Sequence, residues 1–207
     1  MDAKTLENNI FETLANEGEL LSLVVKCHYS IDKILDIALK GSLPQADALE
    51  LNRVSLLLKV DFLTALGGLR PQTRKLFEIV NSTRNRFAHN PYATFSVDDA
   101  KKCHSAIIEH SPPLTPQEFL KAEDPLYILK ILFSVCFLQA AVSYENSCRR
   151  KIENQIAIEM TQEALRKREH EINERPIMDE FRVRCEAELK QQYPYIEPSS
   201  KCSIVGK

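Results

Sequence analysis

The sequence predicts an all-α protein, and three observations carry that prediction. Only five glycines occur in 207 residues. No stretch alternates polar and apolar residues long enough to make a strand. Apolar residues instead recur three and four apart, the spacing of helices that bury one stripe.

The elements follow in order. Residues 5–15 read as a short acidic helix. Over residues 20–39, LLSLVVKCHYSIDKILDIAL places Leu23, Cys27, Ile31, Ile34, Leu35 and Ala38 on one stripe, and Gly41 offers a stop just past it. Residues 46–66 form the next helix, with the dense block VSLLLKVDFLTAL buried on most sides and Gly67-Gly68 ending it. Pro71 sits where a first-turn proline is tolerated, and helix continues through QTRKLFEIVNSTRNRF. Asn90-Pro91 closes that helix, because a residue before proline disfavours the α region. Ser96 or Asp98 caps a helix over about 99–110. Pro112, Pro113 and Pro116 then make a stiff connection. Residues 125–144 are apolar nearly all round and read as a central core helix. After Ser147 the chain becomes charged, leaving Ile152, Ile156, Met160 and Leu165 as a thin seam fit to lie on a partner subunit. Pro176 interrupts this helix, and a last one runs to about Gln192. The organisation expected is a helical bundle over 1–148, a charged helical arm over 149–192 and a flexible tail over 193–207.

Composition narrows the class of function. The formal net charge of −2 gives no global attraction to nucleic acid, so any such contact needs a local basic patch. By this reading no apolar run reaches the roughly 18 residues that span a bilayer, and MDAKTLENNI is too polar for a signal peptide. Six cysteines are scattered without C-x-x-C pairs, several within apolar helical patterns, as reduced core thiols are. No cluster has metal-ligand spacing. No P-loop, dinucleotide fingerprint or nucleophile elbow is present. These features describe a cytoplasmic protein with no membrane segment, no metal and no cofactor.

One stretch concentrates chemistry. STRNRFAHN, residues 82–90, sets Arg84, Arg86 and His89 around Phe87 where a helix must end. A basic C-terminal turn is also what the helix dipole favours, so capping alone could account for it. Phe87 and Ala88, however, pin the segment to the core and hold the flanking polar groups in place. Arg86 and His89, three apart, share a helix face; Arg84 and His89, five apart, lie about 140° round a regular helix and converge only if it unwinds before Pro91. A histidine with an ordinary pKa near 6.5 can take the proton of a ribose 2′-hydroxyl at neutral pH. An arginine offers a forked, permanent charge to a phosphate as its negative charge grows. One histidine serves poorly as both base and acid, whereas two copies across a two-fold axis divide the work.

The run Arg84-Asn85-Arg86-Phe87-Ala88-His89 resembles the R-x4-H signature of HEPN domains, with a polar residue after the arginine. The resemblance covers about residues 15–145. It implies a small all-α bundle, a homodimer, and metal-independent RNA cleavage in toxin–antitoxin, abortive-infection or CRISPR systems. HYSIDKILDIAL looks like that family's first long helix, whose acidic residue, here Asp32, faces the motif. LLLKVDFLTALGGL followed by RNRFAH is similar to the mannitol-operon repressor-like branch, whose members are helical and not all catalytic. In toxins neutralised by nucleotidyltransferase partners a tyrosine stands two residues after the histidine; here Tyr92 stands three after.

On this reading His89 is the general base and Arg84 the phosphate clamp, with Asn85, Arg86, Asp32 and Tyr92 as substrate-binding or supporting groups. Asp32 has two readings of equal weight: it orients Arg84 or His89, or it makes an ordinary salt bridge. His28, one turn before Asp32, fits a locally bonded, half-buried histidine. His104 and His110 read as surface groups. His170 in the run REHE is a lone histidine and a poor metal ligand. Arg149, Arg150 and Lys151 read as a solvated face. Two functions remain open: a homodimeric endoribonuclease acting on RNA and held by an antitoxin or regulatory protein, and a non-catalytic helical regulator working by protein–protein binding.

Overall fold

A computed structural model describes residues 2–43, 45–90, 92–111, 119, 123–167 and 174–196. Pro91, Pro112, Pro113, Pro116, the REHE run and the tail from 197 on, Cys202 included, lie outside the described residues. The structure is all-α: helices predominate and no strand occurs among the described residues. Two compact units divide the chain, Met1–Tyr144 and Glu145–Lys207.

In the first unit, α1 spans Ala3–Asn16, and its N-cap Asp2 accepts the Thr5 amide. Helix α2 spans Leu20–Ser42 and buries the stripe from Leu23 to Leu39. Gly41 lies inside this helix rather than past it; extended Leu43 is the residue that ends it. The stretch 46–66 is not one helix. Two 3-10 turns, Ala46–Ala48 and Leu51–Arg53, precede α3, Leu56–Ala65. Ser55 sets that start, its hydroxyl accepting the Leu58 amide while its backbone stays extended.

Two glycines close α3 in a Schellman pattern: the Gly68 amide bonds Leu63 O and the Gly67 amide bonds Thr64 O. Gly67 takes the left-handed φ of 70° that this pattern requires. At Gly68 a Cβ would come within 2.6 Å of Ser143 Oγ, so close packing also demands glycine there. A 3-10 turn at Pro71–Thr73 leads into α4, Arg74–His89. Helix α5, Val97–His110, begins with a full capping box between Ser96 and Asp99. Helix α2 packs against α1, α3 and α4, and α4 also packs against α5.

Helix α6 runs unbroken from Pro125 to Lys167, across the composition change at Ser147. Its N-terminal part belongs to the first unit, where Leu129, Leu132, Phe133, Cys136, Phe137 and Ala140 are buried and Phe137 meets Phe11 edge-on. The most apolar 18-residue window of this helix has a mean hydropathy of 1.9. By length and composition it is therefore apolar enough to cross a membrane, which corrects the expectation that no run is.

The second unit holds the rest of α6 and α7, Glu174–Gln192. Arg184 grips Glu163 through two bonds of 3.0 and 3.1 Å. Ile152 and Ile156 are buried in this one chain, as are Phe181, Cys185 and Leu189 of α7, so that part of the seam is not left for a partner subunit. Leu165, by contrast, is 74% exposed.

Candidate active site

The basic motif ends α4. Leu76, Phe77, Val80, Thr83 and Phe87 form its buried stripe, so Phe87 anchors the motif as its sequence implies, whereas Ala88, expected to help pin it, is exposed. Arg84, Asn85, Arg86 and His89 are exposed. The helix does not unwind before the proline. It keeps its form through His89, and Asn90 is the first extended residue, with φ −138° and ψ 98°. Arg84 and His89 therefore leave α4 about 140° apart, and the convergence expected from local unwinding does not occur.

Most cations of α4 are matched by carboxylates. Arg74 bonds Asp61 and Glu78, Lys75 bonds Glu78, and Arg86 donates to Asp99 Oδ2 at 2.9 Å. Arg84 differs. Its Nη1 donates to Asn85 Oδ1 at 3.3 Å, and no carboxylate among the described residues lies within ion-pair reach. His89 makes no hydrogen bond to any described residue. Arg86 also lies 5.7 Å from the Phe87 ring centre, which limits its swing. Tyr92 is 92% exposed, and its amide donates to Asn90 Oδ1 at 3.1 Å, tightening the turn after the helix.

Asp32 takes the second of its two readings. Its Oδ1 accepts Lys59 Nζ of α3 at 2.6 Å, and it touches neither Arg84 nor His89 by hydrogen bond or ion pair. Lys59 is 1% exposed and also stands 2.7 Å from Asp36 Oδ1, though off the line of a proper hydrogen bond. Lys33 closes the group on Asp36 Oδ2 at 3.0 Å. Lys59 and Asp36 are not among the site residues that the sequence led one to expect. The signal was one lysine set inside the apolar run VSLLLKV, where a charge needs buried partners.

His28 completes this polar layer between α2, α3 and α4. Its Nε2 is buried without a hydrogen-bond partner. Burial lowers its pKa; Asp32 opposes, Arg84 lowers it further, Asn81 opposes and Lys59 lowers it, with a net fall below the ordinary value. His28 is thus held neutral near Arg84. His104, read from the sequence as a surface group, is instead half-buried, with Nε2 2.9 Å from Phe119 O and its ring against Phe119. Burial pushes the thiols of Cys27 and Cys103 up to about 12, so neither is a nucleophile. Among the described residues no group of three metal-ligating side chains comes together.

Comparison with family models, with curated proteins and with solved structures returns no match.

Proposed function

We propose that the protein is a metal-independent endoribonuclease of HEPN type, a helical bundle that acts as a homodimer in toxin–antitoxin or anti-phage defence. One observation supports this above others: Arg84 and His89 stand exposed at the end of a helix pinned by Phe87, and neither is neutralised by a described carboxylate. An exposed arginine without a carboxylate partner adds little to the fold and keeps its donors available to an anion.

Because the two side chains leave α4 about 140° apart, the site assembles best from two copies, Arg84 of one facing His89 of the other. His89 takes the 2′-hydroxyl proton and the freed oxygen attacks the adjacent phosphorus. Arg84 holds the phosphoryl oxygens as their charge grows. The second His89 returns a proton to the departing 5′-oxygen, leaving a 2′,3′-cyclic phosphate and a 5′-hydroxyl. Asn85 steadies Arg84, and Arg86 is a secondary contact.

The test is cleavage of RNA in EDTA by wild type, Arg84→Ala, His89→Ala and an equimolar mixed dimer of the two variants. Each single variant should fall by at least ~100-fold. The mixed dimer keeps one His89 facing one Arg84 but lacks the second histidine, so it should rise above both single variants without reaching half the wild-type rate per dimer if the pair acts between copies. A dead mixed dimer beside an active wild type places the pair within one chain, and full activity of either single variant removes the mechanism.

A second reading has its own observation. In the second unit Ile158, Leu165, Met178 and Val183 are exposed apolar side chains, which suit a regulator that binds another protein. Growth arrest caused equally by wild type and His89→Ala would favour it.

A further inference from the structure

Beside the motif, between α4 and α5, lies a half-open cavity of about 260 Å³. Ile79, Phe95 and Cys103 are among the residues that line it, and Arg86, Asp99 and Lys102 carry its charge. Its size falls just under the roughly 300–1,000 Å³ of small-molecule pockets, leaving room for one flat ring but not a large ligand. Phe95 is half-buried and Lys102 is exposed.

The charges in this cavity are not in balance. Asp99 Oδ2 already accepts the Ser96 amide, the Ser96 hydroxyl and Arg86 Nη1, each at 2.9 Å. Its carboxylate is thereby spent on capping α5 and fixing Arg86. Lys102 forms no ion pair or hydrogen bond with any described residue. An aromatic wall under a surplus of positive charge is the pairing that single-stranded nucleic acid uses, a base on the ring and a phosphate on the cations. Position agrees as well: Arg86 and His89 lie on one face of α4, about 60° and 4.5 Å apart along the helix.

We propose that this cavity is a nucleotide subsite: Phe95 stacks the base next to the scissile phosphate of a single-stranded RNA, while Arg86 and Lys102 hold the phosphate that follows. The inference rests on the nuclease reading for its direction along the strand, but it is tested by binding.

The probe is a fluorescein-labelled single-stranded hexaribonucleotide of mixed sequence, and the protein is the full chain carrying His89→Ala. Anisotropy is read for this protein and for versions adding Phe95→Ala, Phe95→Tyr or Lys102→Gln. Phe95→Ala should weaken binding roughly 5- to 150-fold, the usual worth of one stacked base, and Phe95→Tyr should retain it. Lys102→Gln, an exposed change that leaves folding alone, should lower the slope of log affinity against log salt by about 0.7. Unchanged affinity and unchanged salt slope in both Phe95→Ala and Lys102→Gln overturn the subsite. If wild type cleaves RNA with a KM indifferent to both changes, the subsite falls and the nuclease stands. If wild type does not cleave yet binding depends on Phe95 and Lys102, the nuclease reading falls and the subsite stands.

Discussion

Lys59 and Arg84 are cations of the same helical unit, treated in opposite ways. Lys59 is almost wholly buried and has two carboxylates, Asp32 and Asp36, at 2.6 and 2.7 Å. Arg84 is exposed, and among the described residues its hydrogen-bond partner is the neutral side chain of Asn85. Removing a lysine from water has a high desolvation cost, which only close opposite charges offset, so the Lys59 cluster belongs to the fold. An arginine left in solvent adds little to the fold and keeps its donors for a ligand. The difference separates two kinds of charge that look alike in a sequence.

The sharpest way to break this comparison is Lys59→Met. The change removes the positive charge and leaves Asp32 and Asp36 repelling each other in a largely buried place. Stability at neutral pH should drop by about 3–5 kcal/mol, read as a lower midpoint in urea unfolding. Adding Asp32→Asn and Asp36→Asn should recover a large part, since the cation then left without Asp36, Lys33, is about one-third exposed and can turn to water. A single-variant loss under about 1 kcal/mol would mean that the cluster is no more structural than a surface pair.

Much of the fold was legible because periodicity reports burial directly. The stripes of α2 and α4, the double-glycine end of α3 and the cap of α5 all follow from local rules. What was not legible came from competition between such rules. Gly41 looks like a stop, yet α2 runs through it to extended Leu43. Ser55 starts α3 afresh because its side chain satisfies an orphan amide, which splits the stretch 46–66. At the motif, the restriction before Pro91 falls on Asn90 alone, so His89 stays helical. Asp32 was legible as a charge but not in its partner, because spacing along α2 does not say which helix lies opposite. The cavity beside Arg86 depends on Phe95 and Lys102, which come to line it with Arg86 only when α4 and α5 pack.

A smaller effect comes from His28, which sits where the two charge systems meet. Burial is the main reason its pKa lies below the ordinary 6.5. The folded chain then binds this proton less readily than the unfolded one. The contribution is fully present above about pH 6.5 and is lost as pH falls through that value toward the lower folded pKa. Unfolding by urea at pH 8 and pH 5 should show an acid loss that shrinks in His28→Gln. The same loss in both proteins would assign it elsewhere.

The smallest effect on the fold is expected from Arg84→Gln. Nothing among the described residues pairs Arg84 with a carboxylate, so stability at pH 8 should move by less than about 0.5 kcal/mol. Its charge does reach His28, however, where it helps hold the imidazole pKa down. Removing that charge should let the His28 pKa rise toward 6.5, visible as an upward shift in the titration of its ring protons by NMR. With a narrower gap between folded and unfolded values, the variant should lose less stability in acid than wild type. On the nuclease reading proposed above, RNA cleavage should fall by at least ~100-fold in the same protein while the fold stays intact. A loss above about 1 kcal/mol at pH 8 would instead make Arg84 a structural cation like Lys59, and the contrast between a fold charge and a site charge would not hold.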